Sequence, residues 1–394
     1  MLKNPEKIKE ILEKGVEKIY PNKKFLEKKL LEKKKLRVYC GYDPSAPKLH
    51  LGHLPTLLKL AQFQRTGHKV IMLIGDFTGM IGDPTGKIST RRMLSKKEVI
   101  LNSKKYKNFA SKILDFRGKN PAKLLFNSQW LAKISFSDLI NLASNFTVQQ
   151  MIIRDFFQER IKKKKPIFLH EFLYPLAQAY DSVAMDIDLE LGGKDQTFNM
   201  LCGRDLMRSL KGKEKIVMAL KLLVDPTGKK MGKTETNLIP LDESPNEIYG
   251  KTMSWPDNSI FPGFELCTNF SLKEIEKIKK LHPQKAKAVL AREIVKICHN
   301  EILAKKAEKE FNRVFKERRT PSQIKKVKVK EKILNILELL KRTNLVSSKN
   351  EAKRLVLQKG IKIDSKIEKD WKKNLKIKKG MIIQVGKRRF AKII

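Results

Sequence analysis

Short apolar runs alternate along this chain with stretches in which apolar residues recur at helical spacing. Residues 5–35 read as charged amphipathic helices interrupted at Pro21, and Leu36–Cys40 then switches to a short buried-strand pattern. An apolar helical pattern runs from Leu54 to Phe63 and ends near Gly67, and Lys69–Asp76 follows as an apolar strand that closes into a loop over 78–88. Strand, helix and strand in that order predict a right-handed parallel crossover. Residues 95–165 read as mostly helical, with a basic end at Lys162–Pro166, and are expected as an insertion between two halves of the fold. Within them, one helix is expected to contain Phe146, Met151, Ile152 and Phe156, and it suits core and interface equally well. The second half resumes with a helix through Leu173, Leu176 and Ala179, a strand at Met185–Leu191 and a helix after Gln196.

Beyond Gly232 the pattern changes. Residues 244–316 are helical, punctuated by Trp255-Pro256-Asp257, Pro262 and Pro283, and 317–331 read as a basic linker. Two short helices are expected at Leu337–Leu345 and Asn350–Lys359, then an extended Gly360–Ile363 and a strand pair around Gly380–Ile394. The expected organisation is an α/β parallel-sheet domain over 1–228, with its insertion at about 95–165. An α-helical domain over 229–320, a linker at 321–334 and a small α+β domain over 335–394 follow.

Composition narrows the partners. The 394 residues hold 85 Lys plus Arg against 42 Asp plus Glu, a formal net charge of +43 that suits a polyanionic partner, although much of the Lys sits on helical stretches whose faces are ordinarily solvated. Cys40, Cys202, Cys267 and Cys298 show no paired or metal-ligand spacing and are expected reduced. With no apolar signal core at Met1–Glu6 and no run of about 20 apolar residues, the expectation is a cytoplasmic protein without a membrane span.

The candidate chemistry lies in two stretches. His50-Leu51-Gly52-His53 stands between the first strand and its helix, where unpaired N–H groups and the helix dipole suit a polyphosphate and two imidazoles add donors. Far downstream, Lys229-Lys230-Met231-Gly232-Lys233-Thr234 offers basic groups in a loop able to close over the same phosphates. A zinc site is not expected, because the metalloprotease pattern H-E-x-x-H is absent. Gly82-Asp83-Pro84-Thr85-Gly86-Lys87 is no Walker loop: it lacks the first glycine and has Ile88 where Ser or Thr should follow.

Together, in this order, the two stretches resemble the "HIGH" and "KMSKS" signatures of the class I aminoacyl-tRNA synthetases. Tyr39–Pro44, Gly82–Lys87, Tyr174–Asp181 and Gly192–Gln196 resemble the tyrosyl-tRNA synthetase family in particular, over the whole chain. The resemblance implies a Rossmann-like catalytic domain with a dimer-forming insertion, and a C-terminal domain similar to a small ribosomal RNA-binding domain. It implies ATP, accompanied by Mg2+, as a substrate, no tightly bound cofactor and no metal in the protein. Its partners would be L-tyrosine, tRNA and a second copy of the chain.

The residue roles it implies are specific. His50, His53, Lys230, Lys233 and Thr234 would stabilise the phosphates during activation, with Lys87 and Arg91 able to reach the pyrophosphate. Lys230 and Lys233 match the two lysines of the signature; Gly232 stands where the commoner form has Ser. Gly41, Asp43, Ser45, Gly52, Thr56, Gly193 and Asp195 would join the histidines and lysines around ATP. Asp83, Tyr174 and Gln178 would hold the ammonium of the amino acid, Gln196 its carboxylate region, and Tyr39 with Asp181 its phenolic hydroxyl. On a helix, residues 174, 178 and 181 share one face. Glu190 stands where family members often carry Gln. A tryptophanyl-tRNA synthetase, or an RNA-binding protein descended from a synthetase, are the competing readings.

Overall fold

A six-stranded sheet organises the first part of the molecule: β1 (Val16–Tyr20), β2 (Arg37–Tyr42), β3 (Lys69–Ile74), β4 (Lys123–Phe126), β5 (Leu189–Gly193) and β6 (Ile216–Leu220). The computed structural model describes residues 4–32, 34–85, 93–224, 238–315, 324–386 and 389–394. The strand order is β1-β6-β5-β2-β3-β4, with β2 to β6 parallel and β1 antiparallel to β6 at one edge. β3 and β6 are almost wholly buried, as expected of strands covered on both faces by crossover helices. From β2 the chain crosses to β3 on one side, and from β5 to β6 on the other. The neighbours β2 and β5 therefore form a topological switch point, where parallel sheets open a crevice at the carboxyl ends of their strands.

The helix Leu54–Arg65 makes the first crossover and buries Leu54, Leu57, Leu60, Ala61 and Phe63. Helices His170–Ala184 and Thr197–Lys211 pack together on Leu176, Ala179, Val183, Leu206 and Met207. The four cysteines are buried free thiols. Among the described residues no helix is long and apolar enough to cross a membrane.

Local readings needed correction in four places. Residues 5–35 are not helical throughout: β1 lies between helices Pro5–Glu13 and Lys23–Leu31, where a Lys- and Glu-rich edge strand has too few apolar residues to show its period. The 95–165 segment contains β4, a run of Lys-Leu-Leu-Phe too short for periodicity to separate strand from helix. Phe146 to Phe156 is not one helix, because Thr147 caps Val148–Ile152 and a second helix starts at Asp155. The expected linker also holds a strand, β7 (Lys325–Val327).

The chain divides into two compact units, residues 1–305 and 306–394. Most of the helical segment expected as a separate domain therefore belongs with the sheet, as helices Pro245–Met253, Ile260–Cys267, Leu272–Ile278 and Pro283–Cys298. The second unit adds β8 (Ile333–Asn335), β9 (Ile361–Ile363), β10 (Lys366–Ile367), β11 (Asn374–Lys376), β12 (Ile382–Val385) and β13 (Arg389–Ile393). Its five-stranded sheet runs β10-β9-β12-β13-β7 and packs on helices Ile336–Arg342 and Lys349–Leu357 around Leu339, Leu340, Val356, Ile361 and Ile383.

Candidate active site

Over the carboxyl ends of the parallel strands lies a cleft enclosing about 1220 Å³, part of it open to solvent. Each strand delivers residues to it: Tyr39 to Asp43 from β2, Gly75 after β3, Asn127 after β4, Leu191 to Gly193 from β5 and Leu220 to Leu223 from β6. Gly41, Asp43, Ser45, Gly52, His53, Thr56, Asp83, Tyr174, Gln178, Asp181, Gly193, Asp195 and Gln196 all line this one cleft. His50 lies beside it, its ring centroid 4.0 Å from that of His53. Lys87, Arg91, Lys230, Lys233 and Thr234 lie outside the described residues.

At one end, Leu51–His53 form a tight 3-10 turn that feeds the helix starting at Leu54. His50 Nδ1 accepts from the Gly52 N–H at 3.1 Å, and His53 Nδ1 accepts from the His50 N–H at 3.1 Å. His53 Nδ1 also lies 3.2 Å from the His50 carbonyl oxygen, so the two rings are fixed against the backbone of this turn and against each other. The stretch that follows the basic loop docks on this turn: the Leu51 N–H donates to Ile239 O at 2.9 Å and the Leu241 N–H to Leu49 O at 2.9 Å. Sequence distance hid that pairing, which brings Ile239 and Leu241 to the histidine turn.

In the middle of the cleft, Asp43 joins two elements, accepting from Tyr174 Oη at 2.8 Å and from Thr78 Oγ1 at 2.7 Å. Gly75 makes this possible, since a Cβ there would overlap both Asp43 Oδ1 and Thr78 Oγ1. The polar residues on helix His170–Ala184 do line one face, but with separate partners. Tyr174 bonds Asp43, whereas Gln178 Nε2 donates to Glu190 Oε1 at 3.0 Å. Asp83 accepts from Gln196 Nε2 at 2.7 Å and from the Thr85 N–H at 2.9 Å.

The deep end is dry. Tyr39 is 1% exposed and its hydroxyl lies 3.1 Å from Ser182 Oγ; burial, with Glu190 and Asp181 nearby, raises its pKa well above the ordinary phenol value. Asp181 is 3% exposed and accepts from Trp130 Nε1 at 2.7 Å and Asn127 Nδ2 at 3.2 Å. Burial outweighs those bonds and raises its pKa well above the usual carboxylate value. A group that brings both a donor and an acceptor can be matched between Tyr39 and Asp181.

Thr78, Asn127, Trp130, Ser182 and Lys215 escaped the sequence reading. Asn127 was recoverable: it directly follows β4, and a polar residue at the carboxyl end of a parallel strand is a site candidate once the strand is seen. Lys215 had no such signal, being one Lys among many. Among the described residues no group of three or more His, Cys, Asp and Glu is placed to hold a metal ion.

Comparison with known proteins adds to this geometry. The family model of the class I tRNA synthetases (W and Y) matches residues 31–316. A tyrosine–tRNA ligase of Moorella thermoacetica is 42% identical over 393 residues, covering 97% of this chain and 94% of its own. One of Thermotoga maritima is 43% identical, covering 99% and 98%. In fold, the chain is similar to a C-terminally truncated mitochondrial tyrosyl-tRNA synthetase of Aspergillus nidulans, with a TM-score of 0.68 and 22% identity over 79% of this chain and 95% of that one. It is also similar to a tyrosyl-tRNA synthetase of Archaeoglobus fulgidus complexed with L-tyrosine, with a TM-score of 0.59 and 21% identity over 77% and 98%.

Proposed function

The chain belongs to the tyrosine–tRNA ligases, class I synthetases that activate L-tyrosine with ATP and then esterify tRNA, and from that premise we propose which of its residues do the work. In the first step a tyrosine carboxylate oxygen attacks the α-phosphorus of ATP, forming tyrosyl-adenylate and releasing pyrophosphate. The nucleophile is already ionised, so no general base is required, and rate enhancement comes from positioning and from donors aimed at charge growing on the phosphates. In the second step a terminal ribose hydroxyl of tRNA attacks the activated carbonyl and AMP leaves.

ATP lies against Gly41, Asp43, Ser45, Gly52, Thr56, Gly193 and Asp195, with its phosphates toward the imidazoles of His50 and His53, which act as donors. Lys230, Lys233 and Thr234 from the basic loop, with Lys87 and Arg91, complete the phosphate contacts. Mg2+ enters with ATP as part of the substrate. Tyrosine lies deeper, its ammonium near Asp83, Tyr174 and Gln178, its carboxylate by Gln196 and its hydroxyl between Tyr39 and Asp181. That last pair is the observation that carries the choice of tyrosine over tryptophan, because a buried carboxylate beside a phenol suits a hydroxyl and an indole supplies none there.

The chain acts as a cytoplasmic homodimer in this reading. Phe136, Ile140, Val148 and Ile153 expose large apolar side chains on the segment expected to pair, while Met151 is core. The C-terminal unit serves tRNA, with exposed Lys349, Lys353, Arg354 and Lys359 on or beside one helix. Pyrophosphate exchange into ATP, run with each proteinogenic amino acid in turn, tests the assignment. Exchange with tryptophan rather than tyrosine would transfer the chain to the tryptophan enzymes, and none with any would leave an RNA-binding protein.

A further inference from the structure

Directly behind the tyrosine pocket lies a buried ion pair that the reaction itself does not use. Glu190, on β5, is 2% exposed, and Lys215, one residue before β6, is fully buried; Lys215 Nζ donates to Glu190 Oε2. The same ammonium donates to Ser182 Oγ at 2.9 Å. Gly203, on the helix Thr197–Lys211, leaves the space: a Cβ there would overlap Lys215 Nζ and come within 3.1 Å of Ser182 Oγ. Burying two charges costs more than most pairs return, so such a pair is poor evidence for stability alone. Its neighbours point to another role.

We propose that Glu190 and Lys215 are positioning residues which set the hydrogen-bond polarity at both ends of the tyrosine pocket. This rests on the tyrosine reading given above. At the amine end, Glu190 Oε1 only accepts, so it takes the Nε2 proton of Gln178 at 3.0 Å and leaves Gln178 Oε1 as the amide atom available to the substrate ammonium. At the hydroxyl end, Lys215 only donates, so Ser182 Oγ must accept from it and keeps its own proton to give. Ser182 Oγ is placed to donate either to Glu190 Oε2 at 3.4 Å or to Tyr39 Oη at 3.1 Å, and in this proposal it makes the shorter contact, to Tyr39, when tyrosine is bound. Tyr39 then donates to the substrate hydroxyl, which in turn donates to Asp181. Neither Glu190 nor Lys215 transfers a proton or forms a bond in the reaction.

The test uses the full-length protein, tyrosine-dependent and phenylalanine-dependent pyrophosphate exchange, and two variants. Lys215→Met is expected to raise KM for tyrosine and to lower the tyrosine-to-phenylalanine ratio of kcat/KM, each by about tenfold, the scale of one charge-assisted hydrogen bond, with KM for ATP held within about twofold. Adding Glu190→Gln removes the uncompensated charge and restores an amide acceptor for Gln178. The double variant should therefore recover KM for tyrosine to within about threefold while the ratio stays low. A merely structural pair would instead lose thermal stability and keep both KM and the ratio, which would overturn the proposal. If Lys215→Met does not fold, the neutral double variant decides alone: a ratio kept at the wild-type value refutes it, and a lowered one supports it. Wild-type protein without tyrosine-dependent exchange would remove the tyrosine reading itself, and this proposal with it.

Discussion

Trp130 Nε1 lies 2.7 Å from Asp181 Oδ1, so a buried carboxylate at the end of the cleft is held by an indole. Its other oxygen accepts from the amide of Asn127. Both donors are neutral, and neither offsets the loss of water around the charge, which is why the Asp181 pKa rises above its ordinary value of 3.8.

The sign of the consequence follows from linkage. Raised above its unfolded value, the Asp181 pKa gives a stability contribution that is full below about pH 4 and is lost as pH rises through the folded value. Asp181→Asn escapes that loss. Relative to wild type, the variant should gain stability as pH rises from about 4 toward 7, while tyrosine-dependent exchange falls. Denaturant unfolding of both proteins across that range checks it; parallel stability profiles would mean that the carboxylate pays no desolvation cost.

Tyr39 tests the second partner of the same hydroxyl. Burial and the two nearby carboxylates keep it a phenol, a neutral group, so its bond should contribute roughly 0.5 to 1.5 kcal/mol. Tyr39→Phe should lower the tyrosine-to-phenylalanine ratio of kcat/KM by about two- to tenfold, and Asp181→Ala should lower it more. Steady-state exchange with both amino acids gives the ratios. An unchanged ratio in Tyr39→Phe would remove Tyr39 from the hydroxyl site.

What the sequence disclosed divides along physical lines. β2, the helix after His53 and β3 were legible because their apolar patterns are long and are bounded by Gly and Pro; β1 and β4 were not, one being too polar and the other too short. The cleft residues were legible by type and motif, and the described ones apart from His50 line one cleft. Their pairing was not legible. Asp43 with Tyr174, Glu190 with Lys215 and Leu51 with Ile239 are each brought together by tertiary packing between distant segments, which no local spacing encodes.

In the proposed reading the second unit serves tRNA and takes no part in tyrosine activation. A cut at residue 335 would leave β7 without β13, its one partner strand among the described residues, so the natural cut lies before Lys325. Deleting residues 324–394 should leave tyrosine-dependent exchange within about threefold and reduce aminoacylation of tRNA strongly, because basic residues such as Lys353, whose ammonium sits 4.1 Å from the Trp371 ring centroid, are lost to the RNA. Full-length aminoacylation should fall steeply with salt and that of the truncated chain less so. Equal aminoacylation by the two at every salt concentration would exclude a tRNA role for this unit.

The histidine turn bears on rate rather than on binding of the amino acid. His53 lines the cleft, and its Nδ1 is held against the His50 backbone, which fixes the ring beside the place proposed for the phosphates. A donor aimed at phosphate oxygens gains strength as negative charge builds during attack at the α-phosphorus. It therefore lowers the activation barrier more than it stabilises bound tyrosine. His53→Ala should slow adenylate formation by about ten- to a hundredfold, the equivalent of roughly 1.5 to 3 kcal/mol, and leave the tyrosine Kd within about twofold. Stopped-flow measurement of activation over a range of tyrosine concentrations separates the two. A Kd that weakens in step with the rate would place His53 on the amino acid instead of on the phosphates.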